Sequence, residues 1–101
     1  MYDWEPCTIL IGSGCAFAHN IQIRTSAYDI SSGSFAKARL LPNKCRNISI
    51  GNNVWCGCNV FINDGVTIGD NVVIGANSVV TRDLLSNGVY RDVPAKLIRA
   101  M

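Results

Sequence analysis

The sequence predicts an all-β fold, a triangular parallel β-solenoid of about four coils with one irregular loop near residues 27–47. Three observations predict it. Ile50, Cys56, Ile62, Ile68, Ile74 and Val80 recur at a fixed interval of six. A second row, Ile48, Val54, Val60, Val66 and Val72, runs two residues ahead, and Ser78 continues it as a small polar member. Gly51, Gly57, Gly69 and Gly75 each follow a member of the first row. An α-helix repeats at about 3.6 residues and a strand at about 2. A three-sided solenoid repeats at six, because each unit lays down one short strand and one corner.

Ile11, Phe17 and Ile23 open the pattern, with Ile9, Cys15 and Ile21 two residues ahead of each, so residues 9–26 form about one coil. Residues 27–47, AYDISSGSFAKARLLPNKCRN, break the rhythm and read as a loop that leaves the solenoid and returns. Residues 48–83 supply about two further coils. Residues 84–101 lose the period: Asn87-Gly88 is a turn, VYRDVP one more extended side, and AKLIRAM either a short tail or a final strand. The whole chain, 1–101, reads as a single domain about four coils high, roughly 20 Å at one strand spacing of about 4.8 Å per coil. Inward side chains stack into ladders, which favours β-branched Ile and Val. Gly, Asn and Asp collect at the corners, as in Gly51-Asn52-Asn53 and Gly69-Asp70-Asn71. The open ends need caps, and the first eight residues and the tail are the candidates.

Composition narrows the function classes. Half the chain is apolar (49%) and only 16% is charged, a surplus that suggests burial against another chain. A net charge of +2 is too weak to argue for nucleic acid. No apolar run reaches membrane-spanning length. The acidic start, MYDWEP, lacks the features of a secretory leader, so the expected location is the cytoplasm and all five cysteines are expected to be reduced. Cys56 and Cys58 form a C-x-C pair, but zinc needs about four ligands, so no metal is expected and Cys56 reads as a small buried hydrophobe.

ISIGNNVWCGCNVFINDGVTIGDNVVIGANSVVTRDL followed by VPAKLIR resembles the hexapeptide-repeat acyltransferases, and within them the sugar and polysaccharide O-acetyltransferases. IQIRTS followed by YDI is a weaker match to the same group. The resemblance implies a left-handed parallel β-helix, against the usual right-handed rule for parallel crossovers. It also implies a homotrimer, with acetyl-CoA as acyl donor in the groove between neighbours and a sugar hydroxyl as acceptor. Carried over residue by residue, Trp55 lines the acceptor and thioester end, with Tyr28 beside the acceptor. Gly75, Ala76 and Ser78 fall along the pantetheine arm, and Lys96 and Arg99 meet the CoA phosphates.

Two departures stand out. The family's Asp-x-His segment, which carries the general base, is absent between Thr25-Ser26 and Ala27-Tyr28-Asp29-Ile30. Arg91-Asp92-Val93 replace the small pair that usually precedes Pro-Ala-Lys. His19, the single histidine, is one candidate base, since an imidazole is suited to taking a hydroxyl proton. Asp29 is the other, provided its environment raises its basicity. Each also has a plain reading, a corner histidine and a loop aspartate. Trp55 serves equally as a wall for a sugar ring or as an interface aromatic. Lys37, Arg39, Lys44 and Arg46 cluster either to bind an anion or as a solvated loop. Two functions follow: an acetyl-CoA-dependent O-acetyltransferase, or a trimeric scaffold or CoA-binding protein that has lost catalysis with the missing His.

Overall fold

The computed structural model describes residues 7–26 and 45–101. The first coil carries β1 (Ile9–Ile11), β2 (Ala16–Phe17) and β3 (Gln22–Ile23). The second carries β4 (Ile48–Ile50), β5 (Val54–Cys56) and β6 (Phe61–Ile62), and the third β7 (Thr67–Ile68), β8 (Val72–Ile74) and β9 (Val79–Val80). The last contributes β10 (Gly88–Arg91) and β11 (Lys96–Ala100). Three sides result: β1-β4-β7, β2-β5-β8-β10-β11 and β3-β6-β9. Neighbouring strands are parallel on every side, except that β11 returns antiparallel along β10.

The two rows legible in the sequence are the core. Every member from Ile48 to Val80, Ser78 included, is at most 4% exposed. Register stacks them: Phe17 on Cys56 on Ile74 on Tyr90, and Ile23 on Ile62 on Val80. First-coil members are less covered, with Ile9 and Ile11 42% and 47% exposed, since no described coil lies beneath them.

Corners explain the Asn content. Asn53, Asn71 and Asn87 stack at one corner with φ of 57°, 55° and 63°; Asn20, Asn59 and Asn77 do so at another with 62°, 58° and 63°. These are left-handed conformations that Asn tolerates better than most residues. The side chains then form ladders between coils: Asn53 Nδ2 donates to Asn71 Oδ1 (2.8 Å), and Asn71 Nδ2 to Asn87 Oδ1 (3.1 Å). Gly57 meets a different demand: a Cβ there would sit 2.8 Å from the Ala76 nitrogen of the next coil.

The extended side and final strand expected in residues 84–101 are β10 and β11, and the period is lost because the step shortens: Leu84 bridges Ile68 in parallel, and Gly88 pairs with Val72, each 16 residues on rather than 18. The corner before Leu84 closes early because Asp83 Oδ1 accepts from Thr67 N (2.8 Å) while Leu84 N donates to Thr67 O (3.0 Å). One expectation is corrected. The cysteines are not all reduced: Cys7 and Cys45 form a disulfide, with Cα atoms 6.2 Å apart. Ser26 bridges Cys45, and Arg46 N donates to Thr25 O (2.9 Å). Ile48 N donates to Thr8 O (3.0 Å), which holds this junction against the residues ahead of β1.

Candidate functional site

Trp55 is the outward residue of β5, flanked in register by Ala16 of β2 and Val73 of β8. The small Ala16 leaves room beside the indole. A concavity of about 250 Å³ opens there, lined by Ala16, Phe17, Ala18, Trp55, Cys56 and Gly57. Trp55 is 66% exposed, so the ring offers its face rather than filling core. A smaller polar hollow of about 180 Å³ lies around Asn20, Gln22, Asn59 and Phe61.

The outward column continues up this side. Val73 pairs with Val89 of β10, and Val89 lies opposite Arg99 of β11. Arg99 is thus three strands beyond Trp55, roughly 14 Å at one strand spacing each. Lys96 lies opposite Arg91, so three exposed cations gather on the last two strands. Sequence reading misses Arg91 as a site residue, because only the antiparallel return of β11 brings it beside Lys96. Arg46, by contrast, is engaged: its Nε donates to Asp64 Oδ2 at 2.7 Å.

Gly75, Ala76 and Ser78 form the corner that follows β8. Ser78 is fully buried and its Oγ donates to Gly75 O (2.7 Å), so this turn offers a ligand backbone rather than a hydroxyl. His19 is exposed at the same corner of the first coil, next to Ala18 of the concavity. Its carbonyl accepts from Asn59 N (3.0 Å). Cys58 takes the matching position one coil later, and Asn77 N donates to Cys58 O (2.9 Å), so His19, Cys58 and Ala76 succeed one another at one corner. The two thiols of the C-x-C pair part company. Cys56 is buried in the core, where burial pushes its pKa up to about 11, and Cys58 is half-buried, directly after the lining residue Gly57. Tyr28, Asp29, Lys37, Arg39 and Lys44 lie outside the described residues.

The arrangement is an apolar strip with an aromatic, a thiol and an imidazole at one end and cations at the other. It suits an elongated ligand with an apolar head and an anionic tail.

Comparison with known proteins agrees with this reading. Residues 47–82 match the family described as bacterial transferase hexapeptide (six repeats). A maltose O-acetyltransferase from Clostridium difficile 630 is 41% identical over 92% of this chain and 48% of its own, with a TM-score of 0.83. A hexapeptide-repeat acetyltransferase from Vibrio cholerae O1 biovar eltor, complexed with acetyl coenzyme A, is 31% identical over 91% of this chain and 49% of its own, TM-score 0.78. A galactoside acetyltransferase in complex with coenzyme A is 30% identical over 98% and 61%, TM-score 0.72. The chain therefore spans about half the length of the first two. Sequence comparison with curated proteins returned no match.

Proposed function

The chain belongs to the hexapeptide-repeat transferase family, and from that premise we propose that it transfers an acetyl group from acetyl-CoA to a hydroxyl of a sugar or polysaccharide. The observation that carries the reading is the outward column from Trp55 to Arg99. It matches a thioester whose acyl end rests at the indole while its phosphates reach Arg91, Lys96 and Arg99. Relatives crystallised with acetyl coenzyme A and with coenzyme A support the donor, and the maltose and galactoside enzymes support a sugar acceptor. The residues 1–101 act as a single domain and assemble as a homotrimer, which places the column in a groove between copies.

In the reaction the acceptor oxygen attacks the thioester carbonyl as its proton passes to a base. The CoA thiolate leaves, and backbone N–H groups of the coil corners steady the oxyanion. His19, at the rim of the Trp55 concavity, is the base best placed among the described residues; Asp29 and Tyr28 are the other residues assigned to this site. Work in the cytoplasm, where acyl-CoA is supplied, makes Cys7–Cys45 a bond that a reducing compartment opens. Alkylating the protein at the moment of lysis tests that placement, since Cys7 and Cys45 left unalkylated and still joined argue for an oxidising location.

A second reading has its own observation. The Asp-x-His segment is absent from the sequence, and a trimeric scaffold or CoA-binding protein without turnover follows from that loss. Calorimetry with acetyl-CoA, followed by an assay of acetyl transfer to maltose and galactosides, separates the two. Saturable binding that weakens about tenfold or more in Arg99→Ala, with transfer, supports the enzyme. Binding without transfer to any acceptor supports the scaffold. A stable trimer without binding refutes the enzyme and leaves a scaffold that kept the fold without the cofactor.

A further inference from the structure

His19 and Cys58 occupy the same corner on consecutive coils. The offset between them, 39 residues, is the one that pairs Ala16 with Trp55 and Phe17 with Cys56. Backbone contacts hold the register: Asn59 N donates to His19 O (3.0 Å), and Asn20 Nδ2 donates to Asn59 Oδ1 (2.8 Å). The two residues are thus one strand spacing apart, about 4.8 Å. Each directly follows a residue that lines the Trp55 concavity, Ala18 and Gly57. The next coil places the small Ala76 at this corner, and Cys58 is half-buried.

The remaining free cysteines of the described residues are otherwise employed. Cys56 is buried in the core, and Cys15 Sγ donates to Gly51 O at 3.2 Å. Cys58 is the free thiol with both access and an imidazole neighbour, beside the position that the proposed function gives to the acyl group.

We propose that Cys58 is an acyl-accepting nucleophile, with His19 as its proton partner, so that acetyl transfer passes in two steps through a thioester on the protein in place of direct attack of the acceptor on acetyl-CoA. The inference rests on acetyl-CoA being the donor. The Cys58 thiol gives its proton to the His19 imidazole, and its sulfur attacks the acetyl carbonyl. The C–S bond to Cys58 forms as the C–S bond to CoA breaks, and the CoA thiolate leaves with the proton from the imidazolium. One thioester replaces another, so no oxidant or energy source is needed and the step is close to isoenergetic. An acceptor hydroxyl then attacks the acetyl-Cys58 carbonyl while His19 takes its proton, and the Cys58 thiolate is released and reprotonated. This route gives His19 work in both halves and supplies a base where the Asp-x-His segment is absent.

The test is acid-quenched peptide mass mapping after incubation with acetyl-CoA, alongside calorimetry of acetyl-CoA binding. One acetyl group on the Cys58 peptide, released by hydroxylamine and absent in Cys58→Ser, is expected. In His19→Ala the labelling is expected to slow by about 100-fold, the low end of a general-base contribution, while calorimetric affinity stays within a few-fold. Retained binding in both variants shows that the fold and the donor site survive. Binding without any acetyl on Cys58, or transfer to sugars in Cys58→Ser at the wild-type rate, overturns the thioester route and leaves the acetyltransferase reading standing. Absence of binding in the unaltered protein fails both, and the calorimetry identifies that case separately.

Discussion

A single buried sulfur shows how strictly each coil position constrains its occupant. Cys56 sits in a column otherwise filled by Phe17, Ile74 and Tyr90, and a thiol is accepted there because the neutral form is small and apolar. Its thiolate is not accepted, and burial pushes the pKa up to about 11. Between the ordinary thiol value and that figure, the unfolded chain has lost a proton that the fold still holds. Stability is therefore fully present below about pH 9 and falls as the pH rises towards 11, by roughly 3 kcal/mol in all. Urea denaturation measured at intervals from pH 8 to 11 checks this against Cys56→Val, which lacks the group. The wild-type midpoint is expected to fall more steeply than the variant's, and parallel curves would count against a protonated core thiol. Ser78 solves the related problem of a polar atom in the core. Its hydroxyl donates to Gly75 O, so full burial leaves no side-chain polar atom unpaired among the described residues.

At the scale of strands and corners, the Asn ladders do what a single turn residue cannot. Asn71 is the middle rung, held in the left-handed region at φ 55° and bonded to Asn53 on one coil and Asn87 on the next. Asn71→Ala removes both bonds and places a Cβ residue without side-chain compensation in a conformation disfavoured by about 1–2 kcal/mol. A loss of roughly 2 kcal/mol is expected by thermal or chemical unfolding, with Asn71→Gly losing less, since glycine takes this φ without penalty. Equal losses would show that the hydrogen bonds, not the backbone, set the preference. This level also marks where sequence reading stops. The strand positions are legible from Ile48 to Val80 because inward packing repeats every six residues and each member meets the same column. Past Val80 the shortened corner at Asp83 shifts the frame by two residues, so a strict period of six loses a coil that is physically continuous. β11 is legible as a final strand, one of the two readings of AKLIRAM, but its antiparallel return depends on a partner strand rather than on any local pattern. The Cys7–Cys45 bond is a meeting of distant residues at the loop junction, and neither spacing nor composition announces it. Motif resemblance makes Trp55, Gly75, Ala76, Lys96 and Arg99 candidates for the site, whereas Arg91 and the His19–Cys58 corner become candidates only through the register of the coils.

The outer surface is where the molecule as a whole departs from a self-sufficient solenoid. The core is narrow, one column per inward position, and large apolar side chains remain outside it: Trp55 at 66%, Leu10 at 62% and Leu85 at 77% exposed. The second side adds the half-buried Val73 and Val89 in line with Trp55, and the third side carries the half-buried Phe61 and Val79. Two adjoining sides with apolar outward columns suit a cyclic assembly, in which one side of each copy meets a different side of the next and the ring closes. Such an interface stabilises the folded chain by mass action, so the unfolding temperature is expected to rise with protein concentration. Sedimentation equilibrium is expected to give three times the chain mass. Val73→Glu places a charge in the middle of the second-side column, where an isolated solenoid would leave it solvated but an interface would bury it unpaired. The variant is expected to sediment as a lighter species, with a lower and concentration-independent unfolding temperature and an unchanged β-sheet signal. A wild-type chain that sediments as a monomer, with an unfolding temperature indifferent to dilution, would rule out the trimer and leave the apolar strip facing water. A Val73→Glu protein that stays trimeric would instead move the contact to another side of the coil.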